Sequence, residues 1–180
     1  MIDICVKYSN AWRFKFGINT TKCLTIGNNV FLCEPHWSLG HVTIENTDIL
    51  NILGTVFSND GKSVKHVDSR ILKCRQSYYG LSCIGMPYPG LPVDLKCHIW
   101  QTICRPILTF GLETMFLSKT MLSRLNSLQG SIIKNFLALS KQSRHSKLLQ
   151  ALNISSIETT VKRQSLSLLK KKKLCKISCA

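Results

Sequence analysis

Five cations, Lys62, Lys65, Arg70, Lys73 and Arg75, lie between residues 62 and 75 and face one carboxylate, Asp68. Cations repeated along a helix neutralise phosphates spaced along a nucleic-acid backbone. Cys33-x-x-His36, with His41 nearby, could supply three zinc ligands, but no second Cys-x-x-Cys pair completes a four-ligand set at the usual spacing. The nine cysteines and five histidines could form a Cys–His dyad, yet nothing in the sequence selects a pair. The acids are Asp3, Glu34, Glu45, Asp48, Asp60, Asp68, Asp94, Glu113 and Glu158, and no two are adjacent. Two-metal transfer chemistry needs clustered carboxylates. There is also no Walker-type glycine loop, no Gly-x-Ser-x-Gly and no His-Glu-x-x-His. The chemistry offered is therefore binding of anions.

Those cations sit in a stretch, Asn51 to Gly85, whose two halves have different periods. Ile52-Leu53-Gly54-Thr55-Val56-Phe57 is an apolar, β-branched run closed by Ser58-Asn59-Asp60-Gly61, which predicts a strand entering a turn. Val64, Val67, Ile71, Cys74, Tyr78, Leu81 and Gly85 then recur at spacings of three and four, one stripe of a helix. The cations occupy its remaining faces. A strand that ends at a turn and delivers a basic helix lays positive charge along a phosphate backbone.

The charge of the whole chain points the same way. Its formal +15 is uneven: residues 1–60 net −1, while residues 61–180 hold twenty Lys/Arg against four Asp/Glu, a net of +16. So lopsided a distribution points to a polyanionic partner, nucleic acid, with a merely soluble basic surface as the alternative. The 180 residues, 44% hydrophobic, suffice for one large or two small domains with a real core. No apolar run approaches the roughly 18 to 20 residues that span a bilayer, so no membrane partner is expected. Asp3, Lys7 and Asn10 interrupt any signal-peptide pattern, so an intracellular location is expected, nucleus or cytoplasm undetermined. Several cysteines fall on apolar helix stripes as small hydrophobes, and no disulfide framework is expected.

In chain order, Met1 to Trp12 reads as a helix with Ile2, Cys5, Val6, Ser9 and Trp12 on one face. Phe14 to Ile18 alternates as a strand, Asn19-Thr20-Thr21 turns, and Lys22 to Ile26 forms a second strand. Val30–Cys33, His41–Glu45 and Ile49–Phe57 follow as further β segments. Three prolines between Met86 and Pro92 exclude a helix there. Pro92 should open a helix that turns Leu95, Ile99, Trp100 and Ile103 inward and ends or kinks near Arg105-Pro106. Glu113, a lone acid in a basic region, is expected to pair with a cation or cap a turn. From Ser118 a long helix carries Leu122, Leu125, Leu128 or Gln129, Ile132, Ile133, Phe136 and Leu139. Gly130 weakens it by about 1 kcal/mol relative to alanine, which implies close packing. A short helix, Lys147 to Leu152, ends at Asn153; Ser155 and Glu158 fit a capping box for a last helix. Lys170-Lys171-Lys172-Lys173 could touch phosphate, serve as a nuclear localisation signal or form a solvated frayed end. The expected fold class is α+β: a small antiparallel sheet with one helix over residues 1–60, then a basic helical bundle over 61–180.

Taken together and in order, these pieces resemble the end of the palm and the thumb of reverse transcriptases from non-LTR (LINE-type) retrotransposons, over residues 1 to 155. Ile18-Asn19-Thr20-Thr21-Lys22-Cys23 resembles palm motif D, Asn-x-x-Lys-(Thr/Cys/Ser). The resemblance implies that Lys22 lies near the phosphates of the incoming nucleotide, where an ammonium offers both charge and a proton; from spacing alone it is an exposed turn lysine. Ile52-Leu53-Gly54, Asp60-Gly61 and Arg70-Ile71 resemble the primer-grip strand, its turn and the helix after it. The string Ile103 to Glu113 resembles the thumb motif Val-x-Pro-x-Leu-x-Tyr-Gly-x-Glu-x-Trp, with Phe110 for the tyrosine and Met115 for the tryptophan. Leu125-Asn126-Ser127-Leu128-Gln129 is similar to the family's Leu-x-x-Leu-Gln register.

The resemblance implies that Leu53 and Gly54 lie near the primer end, and that Lys62, Lys65, Arg70 and Lys73 contact the phosphates of an RNA or DNA primer–template. The intact family enzyme uses magnesium held by a (Phe/Tyr)-x-Asp-Asp hairpin, which this sequence lacks. The expectation is thus a fragment of an RNA-directed DNA polymerase, a palm remnant (1–60) and a thumb-like region (61–180). It would retain no cofactor, would not polymerise alone, and would partner the missing half if a longer protein exists. A stand-alone basic helical nucleic-acid-binding protein, or a decayed element with no function, are the alternatives.

Overall fold

The computed structural model describes residues 2–17, 20–27, 37–40, 42–86 and 90–178. The chain forms two compact units, Met1–Lys65 and His66–Ala180, and its class is α+β. The division falls within the first turn of a helix, slightly beyond the expected boundary at residue 60.

In the first unit, α1 (Ile2–Ala11) precedes three two-stranded pairs. Strand β1 (Lys22–Cys23) pairs in parallel with β4 (Glu45–Asn46), whereas β2 (Ser38–Leu39) pairs antiparallel with β3 (Val42–Thr43). The antiparallel hairpin of β5 (Ile49–Ile52) and β6 (Thr55–Ser58) completes the set. Residues 14–17 carry no strand, and the expected Val30–Cys33 segment lies outside the described residues.

The largest correction is at Ile49–Phe57. That run is two strands, not one, folded so that Ile52 pairs Thr55 and Leu50 pairs Phe57. Leu53 (φ 48°) and Gly54 (φ 82°) form the loop between them. Positive φ at both central residues is what a two-residue type I′ hairpin needs. The turn is disguised in sequence because leucine, which disfavours that region by roughly 1–2 kcal/mol, stands where asparagine is usual. The next turn is as expected. Ser58 Oγ and the Lys62 backbone amide both donate to Asp60 Oδ1, and Gly61 takes φ 65°. These donors, the Ser58 hydroxyl first, hold the Asp60 carboxyl below its usual range.

From Val64 the chain is helical. Helix α2 (Val64–Gly80) buries His66, Val67, Arg70, Cys74 and Tyr78. Helix α3 (Val93–Ile99) does not break at Pro106 but passes through one π turn, Trp100–Cys104, into α4 (Arg105–Thr109). The Arg105 amide donates five residues back to the Trp100 carbonyl, and the wider turn accommodates a proline that has no amide to offer. The π turn also shifts the buried face. Trp100, Cys104 and Leu108 are fully buried, while Leu95 and Ile103, expected inward, are exposed.

Helix α5 (Lys119–Phe136) starts at Ser118, whose Oγ accepts from the Met121 amide at 3.3 Å. It is followed by α6 (His145–Ala151) and α7 (Ile157–Ser178). The cap of α7 lies one residue beyond the expected box: Ser156 Oγ accepts from the Thr159 amide, and Asn126 Oδ1 of α5 accepts from the Ile157 amide. Glu158 instead bonds Lys162 at 2.8 Å. Trp100, Leu108, Leu112, Leu125, Ile133 and Ile157 form the heart of the core, where each large side chain stabilises by about 1.5–3 kcal/mol.

Three helices end in the same way. After α1, α5 and α6, residues Arg13, Ala138 and Asn153 take φ near 50°. The next amide then reaches back across the last turn: Phe14 to Ser9, Leu139 to Lys134 and Ile154 to Leu149. This is the Schellman arrangement, here built without glycine.

Candidate nucleic-acid interface

The residues expected to touch nucleic acid fall in both units. In the first, the parallel register of β1 and β4 places the Lys22 ammonium 3.4 Å from the Glu45 carboxylate. An exposed pair of this kind is worth about 0–1 kcal/mol, so a phosphate can compete for the lysine. Leu53, 92% exposed, and Gly54 form the tip of the β5–β6 hairpin. Lys62 and Lys65 are exposed.

In the second unit Lys73 is exposed, but Arg70 is not. Arg70 is 5% exposed, with its guanidinium 4.7 Å from the centre of the Phe110 ring. Its expected place on the solvent face of the basic helix is corrected: positions 67, 70, 74 and 78 are themselves a stripe at spacings of three and four. A long cationic side chain whose head finds an aromatic face can lie in that stripe. Burial lowers the Arg70 pKa without threatening its charge. Asp68, the one carboxylate among these cations, pairs with Arg124 of α5.

Beside Arg70, His66 Nε2 donates to the Phe110 carbonyl oxygen at 3.0 Å. Burial, the main cause, lowers the His66 pKa, with Arg70 and Lys73 adding to the effect and the Phe110 bond and Glu113 opposing it. Glu113 does not play the part expected of it. Its Oε2 is buried without a hydrogen-bond partner, and it enters no ion pair among the described residues. The turn that carries it is held through the backbone, since Ser165 Oγ of α7 donates to the Glu113 carbonyl at 3.0 Å.

A cleft of about 1060 Å³ runs along α5. Lys119, Ser123, Ser127, Ser131 and Lys134 line it from that helix, joined by Tyr79, Lys141 and His145, with Glu158, paired to Lys162, the carboxylate at its wall. Lys134 Nζ donates to the Lys141 carbonyl at 2.7 Å, which fixes the loop after α5 at the cleft edge. The His145 ring lies on Gly130: a Cβ there would sit 2.9 Å from ring Cδ2, which accounts for the mid-helix glycine. Burial first, and Lys134 second, lower the His145 pKa. From Lys119 to Lys134 the helix rises about 22 Å, or roughly six steps of one nucleic-acid strand. Phosphate contacts from ammonium groups and hydroxyl donors, where proteins make them, do not read base sequence. This site escaped the sequence reading, which followed the apolar face of α5; the signal available was polar residues recurring at spacings of four and three on the opposite face.

Among the described residues no group of three or more His, Cys, Asp or Glu is placed to hold a metal ion, and Cys33, His36 and His41 lie outside them. Burial pushes the Cys74 and Cys104 thiols up to about 12 and about 11, far from nucleophilic at neutral pH. Among the same residues no helix is long and apolar enough to cross a membrane. No family model, curated protein or solved structure matches this chain.

Proposed function

We propose that this chain is the nucleic-acid-gripping part, palm end plus thumb, of a reverse transcriptase of a non-LTR retroelement, and that it binds an RNA or DNA primer–template through phosphate contacts. The observation that carries this reading is the cleft along α5, where Lys119, Lys134 and Lys141 line one groove in a unit of strongly basic composition. The ordered motif resemblances support it. Magnesium belongs to a carboxylate cluster, and the nine acids of this sequence include no adjacent pair, so nucleotide transfer is not assigned to the chain.

Arg70, buried against Phe110, is compatible with a second reading as well. A row of phosphate-binding cations with one member turned inward also suits a stand-alone basic helical nucleic-acid-binding protein.

Fluorescence anisotropy with a labelled primer–template tests both. Binding at low salt is expected, with log affinity falling by about 0.9 per decade of salt for each phosphate neutralised. Lys119→Gln and Lys141→Gln should each weaken binding and flatten that slope. No binding at low salt, or affinity indifferent to both substitutions, overturns the proposal. Equal affinity for a recessed primer–template and a blunt duplex selects the second reading. Metal-dependent nucleotide incorporation by the purified chain would contradict the assignment of binding alone.

A further inference from the structure

Trp12-Arg13-Phe14-Lys15-Phe16 alternates large rings with cations, and the end of α1 decides where those rings go. Arg13 takes φ 54° and the Phe14 amide reaches back to the Ser9 carbonyl at 3.1 Å. The chain thereby folds onto its own helix, and Phe14 meets Tyr8 edge-on at 6.0 Å between ring centres. This is the contact between the residue after the cap and the last helical turn that accompanies a Schellman end. Trp12 lies 5.9 Å from Tyr8, tilted 42° to it, and Phe16 lies 5.2 Å from Phe14. Four rings thus touch in a row. They remain at the surface: Tyr8 is 56% exposed, Trp12 69%, Phe14 40% and Phe16 37%.

We infer that this aromatic row is a stacking platform for the unpaired bases of single-stranded nucleic acid. Aromatic faces accept any base, and single-strand sites combine such faces with a positive surface that tracks the backbone. The cations are present and exposed: Lys7, Arg13 and Lys15 are interleaved with the rings, and Asp3 is the only carboxylate before residue 34. A protein interface would suit the rings and Arg13 but not Lys7 and Lys15, because lysine is depleted at the buried centres of such interfaces. A duplex fits less well too, since its base faces are already stacked. The row shares no residue with the α5 cleft and does not depend on the polymerase reading.

The test uses the full chain with three probes of roughly 12 nucleotides, the range that single-strand sites cover: oligo(dT), an abasic strand of equal phosphate number, and a blunt duplex. Oligo(dT) should bind on the order of tenfold tighter than the abasic strand. Trp12→Ala and Tyr8→Ala should erase that preference while leaving the salt slope and duplex affinity unchanged, and Trp12→Phe should restore most of it. Circular dichroism checks that α1 survives each change. Equal affinity for oligo(dT) and the abasic strand overturns the inference, as does a variant effect spread evenly over all three probes. So does a Trp12→Ala chain that changes only its oligomeric state, which would make the row a protein contact. Duplex binding without any preference for oligo(dT) removes this inference and leaves the α5 cleft standing; binding to none of the probes removes both.

Discussion

His66 Nε2 donates to the Phe110 carbonyl across 3.0 Å, joining the start of α2 to the end of α4, 44 residues later in the chain. A carbonyl can only accept, so this nitrogen carries the proton in the neutral ring. Beside the bond, Arg70 covers the Phe110 ring. Two side chains of α2, one turn apart, therefore hold one residue of the thumb-like string. The Phe110-Gly111 bend, with Gly111 at φ 77°, is clamped from its side-chain and backbone faces together.

The first prediction concerns pH. The folded pKa of His66 lies below its ordinary value of 6.5, so the unfolded chain binds the proton more readily. Its contribution to stability is complete above pH 6.5 and declines as pH falls through that value. His145 acts in the same direction. The Tm should drop between pH 7.5 and 5. His66→Gln, which keeps a donor near the Phe110 carbonyl without titrating, should flatten that drop in thermal melts. An unchanged slope would remove His66 from the account.

Gly130 and Ala138 should respond in opposite senses. Gly130→Ala drives a methyl into the His145 ring and should cost about 1–3 kcal/mol, more than the helix propensity it gains. Ala138→Gly relieves a left-handed alanine at the end of α5 and should stabilise by about 0.5–1 kcal/mol after the greater chain entropy of glycine is counted. Urea denaturation measures both.

Leu53 is the analogous case in the β5–β6 hairpin. Leu53→Asn places a residue tolerant of positive φ in the turn and should stabilise the hairpin by roughly 0.5–1 kcal/mol. Amide hydrogen exchange across β5 and β6 is the direct readout: slower exchange is expected, and faster exchange would contradict the turn assignment.

Two cations of α2 should separate cleanly. Arg70→Met loses its place over Phe110 and should lower stability by about 0.5–2 kcal/mol while leaving the salt slope of nucleic-acid binding unchanged. Lys73→Gln, on an exposed position, should leave stability within about 0.5 kcal/mol. With Lys73 on phosphate, as the family resemblance implies, the substitution should shrink the slope by about 0.9. Denaturation and anisotropy on the same two proteins decide the matter.

Residue order by itself determined the amphipathic stripes of α2 and α5, the start of a long helix at residue 118, the close-packing glycine at 130 and the concentration of positive charge after residue 60. Each of these depends on neighbours within a turn or two, so periodicity and composition carry them. The tertiary structure alone decided that Leu53-Gly54 is a turn, that the helix runs through Pro106, and that Arg13 and Ala138 close helices without glycine. It also turned Arg70 inward and opened a cleft along the polar side of α5. The reason is physical. The sign of φ at a non-glycine residue, and the direction a long cation takes from the edge of a stripe, depend on partners tens of residues away, such as Phe110 for Arg70, and no local pattern encodes them.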